Sequence, residues 1–212
     1  MSIPADTFKP IIDELQRRPL CTNKYRLIAG TGKSQTFGVV NRRSAPPDYS
    51  RLNWMRPYLY KLLLEFAAAH VTIPWTSITV NQNYKAAAHR DKGNKGESYL
   101  VAFGDYTGGE LKISEGPLTG SHDVKHKPLI TDFSKCLHEV QDFTGDRYSL
   151  VFYTHEPRKF QNLQPLPPPA VEQIGTKYYF KRGDEVIRDG LPHPLKGRTV
   201  VKVTSPATVT FD

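Results

Sequence analysis

Residues 81–98, NQNYKAAAHRDKGNKGES, decide how the rest of the chain is to be read. Within them, His89-Arg90-Asp91 sets an imidazole and a carboxylate two residues apart. In extended backbone such side chains leave the same face, because successive residues alternate sides. Two ligands then converge, and a second histidine from elsewhere would complete a set of two imidazoles and one carboxylate. That set, with the opposite side of an octahedral metal left open, is how non-heme Fe(II) oxygenases hold iron.

Five histidines follow the dyad: His122, His126, His138, His155 and His193. His138 lies in the strand-like KCLHEV, and Arg147 follows nine residues later, beyond the turn-like FTGD. An arginine on the next strand can offer its planar fork to a carboxylate as a charge-assisted bidentate pair. A 2-oxo acid that chelates iron through its keto acid end needs such an anchor at its far end, and Ser149, on the same strand face, adds a hydroxyl donor. Asn81, Asn83 and Tyr84 precede the dyad and either bind the co-substrate or pair buried backbone; Asn83 is carried forward as a co-substrate contact.

Outward from this centre, residues 5–18 place Phe8, Ile11, Ile12 and Leu15 at helical spacing, with Asp6 or Thr7 as N-cap and Pro19 as a stop. Residues 57–70, PYLYKLLLEFAAAH, predict the strongest helix, with proline in the first turn and Leu59, Leu62, Leu63, Phe66 and Ala67 along one stripe. Between them, GTGKS at residues 30–34 imitates a phosphate loop, but Leu27 stands where that motif needs its first glycine. Residues 41–56, NRRSAPPDYSRLNWMR, read as a basic, proline-broken loop whose Arg42, Arg43, Arg51 and Arg56 are candidates for phosphate contacts.

From Thr72 the texture is that of strands: SITVNQNY, then SYLVAFG and ELKIS joined by DYTGG as a hairpin-like pair, then runs in PLITDF, KCLHEV and RYSLVFYTH. His122 and His126, in GSHDVKHK, read as solvated loop residues. Many short strands with glycine-marked turns predict a mainly β chain, a double-stranded β-helix or jelly roll buttressed by the N-terminal helices. The expected division is a catalytic domain over 1–164, a proline-rich connector over 165–170 and a small β-rich extension over 171–212.

The chain has 212 residues and a net charge of +8. Residues 1–60 hold ten Lys/Arg against four Asp/Glu, 61–170 hold twelve against twelve, and 171–212 hold seven against five, so the flanks are positive and the centre is neutral. Basic flanks suit a polyanion as well as a merely solubilising surface. Two cysteines, Cys21 and Cys136, far apart and without zinc-like spacing, argue against a disulfide framework and fit a reducing, intracellular setting. No signal-like layout and no run of membrane-spanning length is expected, and no obligate protein partner is evident.

His89-Arg90-Asp91-Lys92-Gly93-Asn94, with Gly96 and Ser98, and the run Arg147-Tyr148-Ser149-Leu150-Val151-Phe152-Tyr153-Thr154-His155 together resemble the catalytic domain of the TET/JBP family of DNA dioxygenases. The patterns H-x-D-x-x-N and R-x-S-L-V-F-Y-x-H are both met, and the similarity spans residues 72–160. The resemblance implies iron bound by His89, Asp91 and His138, and 2-oxoglutarate held by Arg147 and Ser149, with O2 as co-substrate. It also implies Asn94, Tyr153 and His155 in contact with a base flipped from DNA, whose 5-methylcytosine or thymine methyl is oxidised. The cysteine-rich zinc-binding extension and the long insert of animal members are missing, so the likeness is to minimal viral, phage or lower-eukaryotic members, working in a nucleus or a host cytoplasm. Two rival readings share these residues: a protein side-chain hydroxylase on the same fold, and a nucleic-acid-binding module without catalysis.

Overall fold

The computed structural model describes residues 2–21, 30–41 and 46–155, and after them the strand segments 170–174, 177–182, 185–188, 191–192, 200–205 and 208–211. A 3₁₀ turn at Ala5–Phe8 leads into helix α1, Lys9–Arg17, whose second residue is proline, as a first turn allows. The helix expected over 5–18 is thus present, but neither Asp6 nor Thr7 caps it through a side chain. Strand β1, Gly30–Val40, contains the GTGKS run, and β2, Asp48–Tyr49, pairs with its end. Helix α2, Leu52–Met55, follows, so the basic segment that reads as a loop carries a strand and a helical turn. Helix α3, Pro57–His70, occupies the residues its apolar stripe predicts.

The remaining strands before the tail are β3 (Ser77–Ala86), β4 (Ser98–Gly108), β5 (Leu111–Ile113), β6 (Gly120–His122), β7 (Leu129–Thr131), β8 (His138–Val140) and β9 (Phe143–Tyr153). A six-stranded antiparallel sheet runs β2-β1-β3-β9-β4-β7, and a three-stranded one runs β6-β5-β8. Two antiparallel layers with flanking helices make the jelly roll that the strand-and-turn texture predicts. One expectation fails in detail: β4 and β5 are not a hairpin. The chain crosses from the large sheet to the small one at Gly108 and Gly109, both at positive φ (74° and 72°), a pair of left-handed residues that turns the strand over. DYT and FTGD, which read as turns, are instead paired with each other in β4 and β9.

Alternation along the strands sorts the core into two layers. Val80 on β3, Val101 and Phe103 on β4, and Tyr148, Leu150 and Phe152 on β9 face the helices, where they join Phe8, Leu15, Leu59 and Leu63. Phe8 stacks on Phe103 with ring centroids 4.6 Å apart, which docks the N-terminal segment on the sheet. On the opposite face, Leu100 and Ala102 meet Leu111, Ile113, Phe133 and Cys136 between the two sheets. The inward face of β3 and β9 is different: Thr79, Asn81, Arg147 and Ser149 are buried there, and polar. Buried polar side chains on a sheet face need partners, and this cluster marks where the site lies.

After the strand β9, the described tail residues form β10 (Ala170–Ile174), β11 (Lys177–Arg182), β12 (Glu185–Arg188) and β13 (Leu191–Pro192) in a separate sheet, and a pair β14 (Val200–Ser205) and β15 (Thr208–Phe211). Among the described residues these strands are not hydrogen-bonded into the jelly roll. Tyr178 on β11 stacks on Tyr58 of α3 at 5.1 Å, and Val171 packs on the helix-side core. Of the expected connector, residues 165–169 lie outside the described residues. No helix among the described residues is long and apolar enough to cross a membrane.

Candidate active site

His89 and Asp91 sit not in a strand but in the segment between β3 and β4, and what aligns them is the neighbouring strand. His89 and His138 exchange backbone hydrogen bonds in an isolated antiparallel bridge (2.9 and 3.0 Å), and the Asp91 amide donates to the Phe133 carbonyl at 3.0 Å. The loop is thereby laid along β8, and three side chains remote in sequence meet. One ligating atom from each of His89, Asp91 and His138 lies within 4.8 Å of the other two, and His89 Nε2 stands 3.5 Å from Asp91 Oδ1.

The donor set fits a divalent ion in its details. Nδ1 of His89 contacts the Ala87 carbonyl at 2.7 Å, and Nδ1 of His138 contacts the Cys136 carbonyl at 2.9 Å. A carbonyl accepts only, so each Nδ1 carries the proton and each Nε2 offers its lone pair, the backbone orientation usual for metal-binding histidines. Burial holds His138 below the ordinary histidine range, with the Cys136 carbonyl opposing, His89 acting in the same direction as burial, and Asp91 opposing. A neutral imidazole at neutral pH is what a metal ligand has to be.

Arg147 enters from β9 with only 2 % of its surface exposed. No carboxylate stands within ion-pair distance of it among the described residues, and its Nε has no hydrogen-bond partner. Its guanidinium instead lies near the rings of Tyr106 (5.5 Å) and Phe143 (5.7 Å). Burial lowers its proton affinity, while Tyr106 and then Glu110 act the other way. A buried cation without an anion is costly, and a carboxylate ligand would remove that cost. Ser149, also buried, accepts a hydrogen bond from Asn81 Nδ2 at 3.0 Å, which leaves its own proton to donate elsewhere.

Asn83 is a correction. It is not aimed at a co-substrate: its Oδ1 accepts the Arg147 backbone amide at 2.7 Å and its Nδ2 donates to Asp146 at 3.1 Å. Alternation would put Asn81 and Asn83 on one face, but Asn83 has φ 50°, and the pairing of β1 with β3 slips by one residue there. This bulge turns Asn83 towards the backbone of β9. Asn81, directly across from Ser149 in the ladder, is the asparagine that joins the buried polar cluster.

Asn94 and His155 meet in a second isolated bridge, and Asn94 Nδ2 lies 3.5 Å from Asp91 Oδ2. Tyr153 stands edge-on to His155, with centroids 4.9 Å apart, and its hydroxyl is 3.2 Å from Thr79 Oγ1. Burial lowers the pKa of His155, against the Gly93 backbone and Asp91. The three residues proposed from the resemblance therefore share one wall beside Asp91.

The phosphate candidates fare differently. Arg42 and Arg43 lie outside the described residues. Arg51 is exposed at the start of α2. Arg56 is a second correction: it is buried, donates to the Arg18 carbonyl and faces Glu14 at 3.7 Å, so it bridges helices rather than reaching a ligand. His122 and His126 are half-buried rather than solvated; the first contacts the Leu118 carbonyl at 2.6 Å and the second stacks on Phe8 at 5.3 Å. His193 lies outside the described residues.

No protein-family model matches the chain, and no curated protein matches it. Solved structures do. NgTET1 in complex with 5mC DNA aligns over 74 % of this chain and 70 % of its own, with TM-score 0.51 and 14 % identity. A 2OG-Fe(II) oxygenase family oxidoreductase from Burkholderia pseudomallei aligns over 67 % and 74 %, with TM-score 0.47 and 20 % identity. A Pseudomonas putida prolyl-4-hydroxylase aligns over 73 % and 89 %, with TM-score 0.43 and 14 % identity. At 14 % identity the likeness to NgTET1 is one of fold.

Proposed function

We propose that the protein is an Fe(II)- and 2-oxoglutarate-dependent dioxygenase that oxidises the 5-methyl group of pyrimidines in DNA, 5-methylcytosine first among them. The observation that carries the reading is that the chain holds both the His89–Asp91–His138 cluster and a buried Arg147 with no carboxylate at ion-pair distance among the described residues. His89, Asp91 and His138 would hold iron; Arg147 would pair with the distal carboxylate of 2-oxoglutarate, and the Ser149 hydroxyl, oriented by Asn81, would donate to the same group. When bound, iron and the oxo acid would supply the activation of O2 for attack on an unactivated C–H bond.

The chain's own residues do the positioning. Asn94, Tyr153 and His155, gathered beside Asp91 by the Asn94–His155 bridge, offer a ring wall and edge-directed hydrogen bonds to a base turned out of the duplex, a step that costs a few kcal/mol. Arg42, Arg43 and Arg51 remain the proposed phosphate contacts, and the working compartment would be intracellular. The match of Asn94, Tyr153 and His155 to the TET/JBP sequence pattern is what favours this choice over a protein hydroxylase.

The test is mass spectrometry of nucleosides after incubating methylated DNA with the protein, Fe(II) and 2-oxoglutarate. 5-Hydroxymethylcytosine is expected. Asn94→Ala and His155→Ala should lose it while still turning over 2-oxoglutarate; methylated DNA left untouched by a protein that does consume 2-oxoglutarate on peptides would favour the hydroxylase instead.

A further inference from the structure

We infer that Tyr106 is a positioning residue for Arg147. Together with Phe143 it forms an aromatic clamp that holds the guanidinium aimed and unpaired, and so makes the pocket selective for a 2-oxo acid bearing a second carboxylate. The inference rests on the reading of Arg147 as the co-substrate anchor. A buried arginine stays charged, and the usual solution is a fixed carboxylate partner. Here that place is taken by two rings, at 5.5 and 5.7 Å from the guanidinium carbon. Ring faces attract a cation without saturating its N–H donors. The cation is thus tolerated without a carboxylate beside it, and N–H donors remain for an incoming anion. A permanent Asp or Glu would compete with that anion.

Tyr106 is itself held in place by its neighbours. Tyr106 is buried, its ring meets Phe143 edge-on at 6.4 Å, and Lys125 holds it by donating to the Tyr106 carbonyl at 2.8 Å while lying over its ring at 4.7 Å. Across the guanidinium, Gly109 closes the box. A β-carbon there would fall 2.9 Å from Arg147 Nε and 3.0 Å from its Cδ, so glycine at this crossing makes room for the arginine as well as for the turn. The orphaned Nε faces this backbone, and the Tyr106 side chain adds a polar, hydrogen-bonding contact to the guanidinium beside its ring contact. Neither Tyr106 nor Gly109 belongs to the motifs that single out Arg147; both are brought to it by the pairing of β4 with β9 and the crossing between the sheets.

The experiment is calorimetric titration of the full chain loaded with Mn(II), using 2-oxoglutarate and, as a probe lacking the second carboxylate, 2-oxobutyrate. Tyr106→Phe should weaken 2-oxoglutarate roughly threefold and Tyr106→Leu about thirtyfold, magnitudes suited to a lost polar contact and a lost cation–ring contact. Both variants should leave 2-oxobutyrate unchanged, and Tyr106→Leu should add nothing to Arg147→Met. Equal weakening of both oxo acids would mean a general structural role and overturn the inference. If Arg147→Met abolishes 2-oxoglutarate selectivity but Tyr106→Leu does not, the clamp fails and the anchor stands. If Arg147→Met itself leaves 2-oxoglutarate binding intact, the anchor fails and the clamp with it.

Discussion

Replacing Asn83 by alanine removes the acceptor of the Arg147 amide and leaves a residue with a β-carbon at φ 50° without its compensating hydrogen bonds. A stranded backbone N–H costs about 1–3 kcal/mol and left-handed backbone adds to it, so Asn83→Ala should lower the denaturant midpoint clearly. Asn83→Gly, which tolerates the dihedral angle, should recover part of that loss in the same urea titration. For the proposed metal ligands the expectation is sharper. Asp91→Ala should leave the chain folded, because Asp91 is joined to its surroundings through backbone bonds to Phe133 and Asn94, while Mn(II) binding by calorimetry falls to background. At this scale the sequence pointed to the His89–Asp91 dyad and, through the resemblance, to His138, which the structure brings within ligand distance of it. Asn83 was misassigned because a single left-handed residue breaks the alternation on which the reading rests, and a dihedral angle leaves no mark in composition.

Among elements, the N-terminal helix and the α2–α3 corner are joined by charge as well as by apolar contact. Glu14 on α1 is buried, receives Arg17 Nε at 2.9 Å and faces Arg56 at 3.7 Å. Burial depresses the Arg56 pKa, against the pull of Glu14. Removing one member of such a pair strands the other, at roughly 3–5 kcal/mol. Glu14→Leu should therefore destabilise strongly, and Glu14→Leu with Arg56→Met should regain most of the loss, a coupling that a double-mutant cycle in urea reads directly. Arg56 looked like a phosphate contact because its neighbourhood is basic. Nothing local announces that a glutamate forty-two residues earlier waits for it. Helix α3 was foreseeable, since its stripe is a local periodicity; the crossing at Gly108-Gly109 was not, because the same two glycines also suit a hairpin.

At the scale of the molecule, the N-terminal segment is latched to the segment between β6 and β7 through His126. Its carbonyl accepts the Ile3 amide at 2.8 Å, and its ring stacks on Phe8. Burial holds the imidazole below its ordinary value of 6.5, helped by Lys125 and opposed by Asp123. The unfolded chain therefore takes up the proton first. Stability from this group is complete above pH 6.5 and declines as the pH falls through the lower folded value. His126→Asn keeps a residue that accepts the φ of 58° and removes the titration, so its thermal midpoint should depend less on pH between neutral and mildly acid buffer than that of the parent.

The sequence by itself determined the mainly β architecture, the two principal helices and the residue types from which the His89–Asp91–His138 cluster is built, because these follow from local periodicity and composition. Only the tertiary structure decided that the dyad is aligned by β8 rather than by a strand of its own, that Asn81 and not Asn83 lies against Ser149, and that Tyr106 and Phe143 rather than a carboxylate stand beside Arg147. Each of these depends on which distant strands pair and in what register. That choice is made by the burial of whole faces at once, and no short stretch of chain carries it.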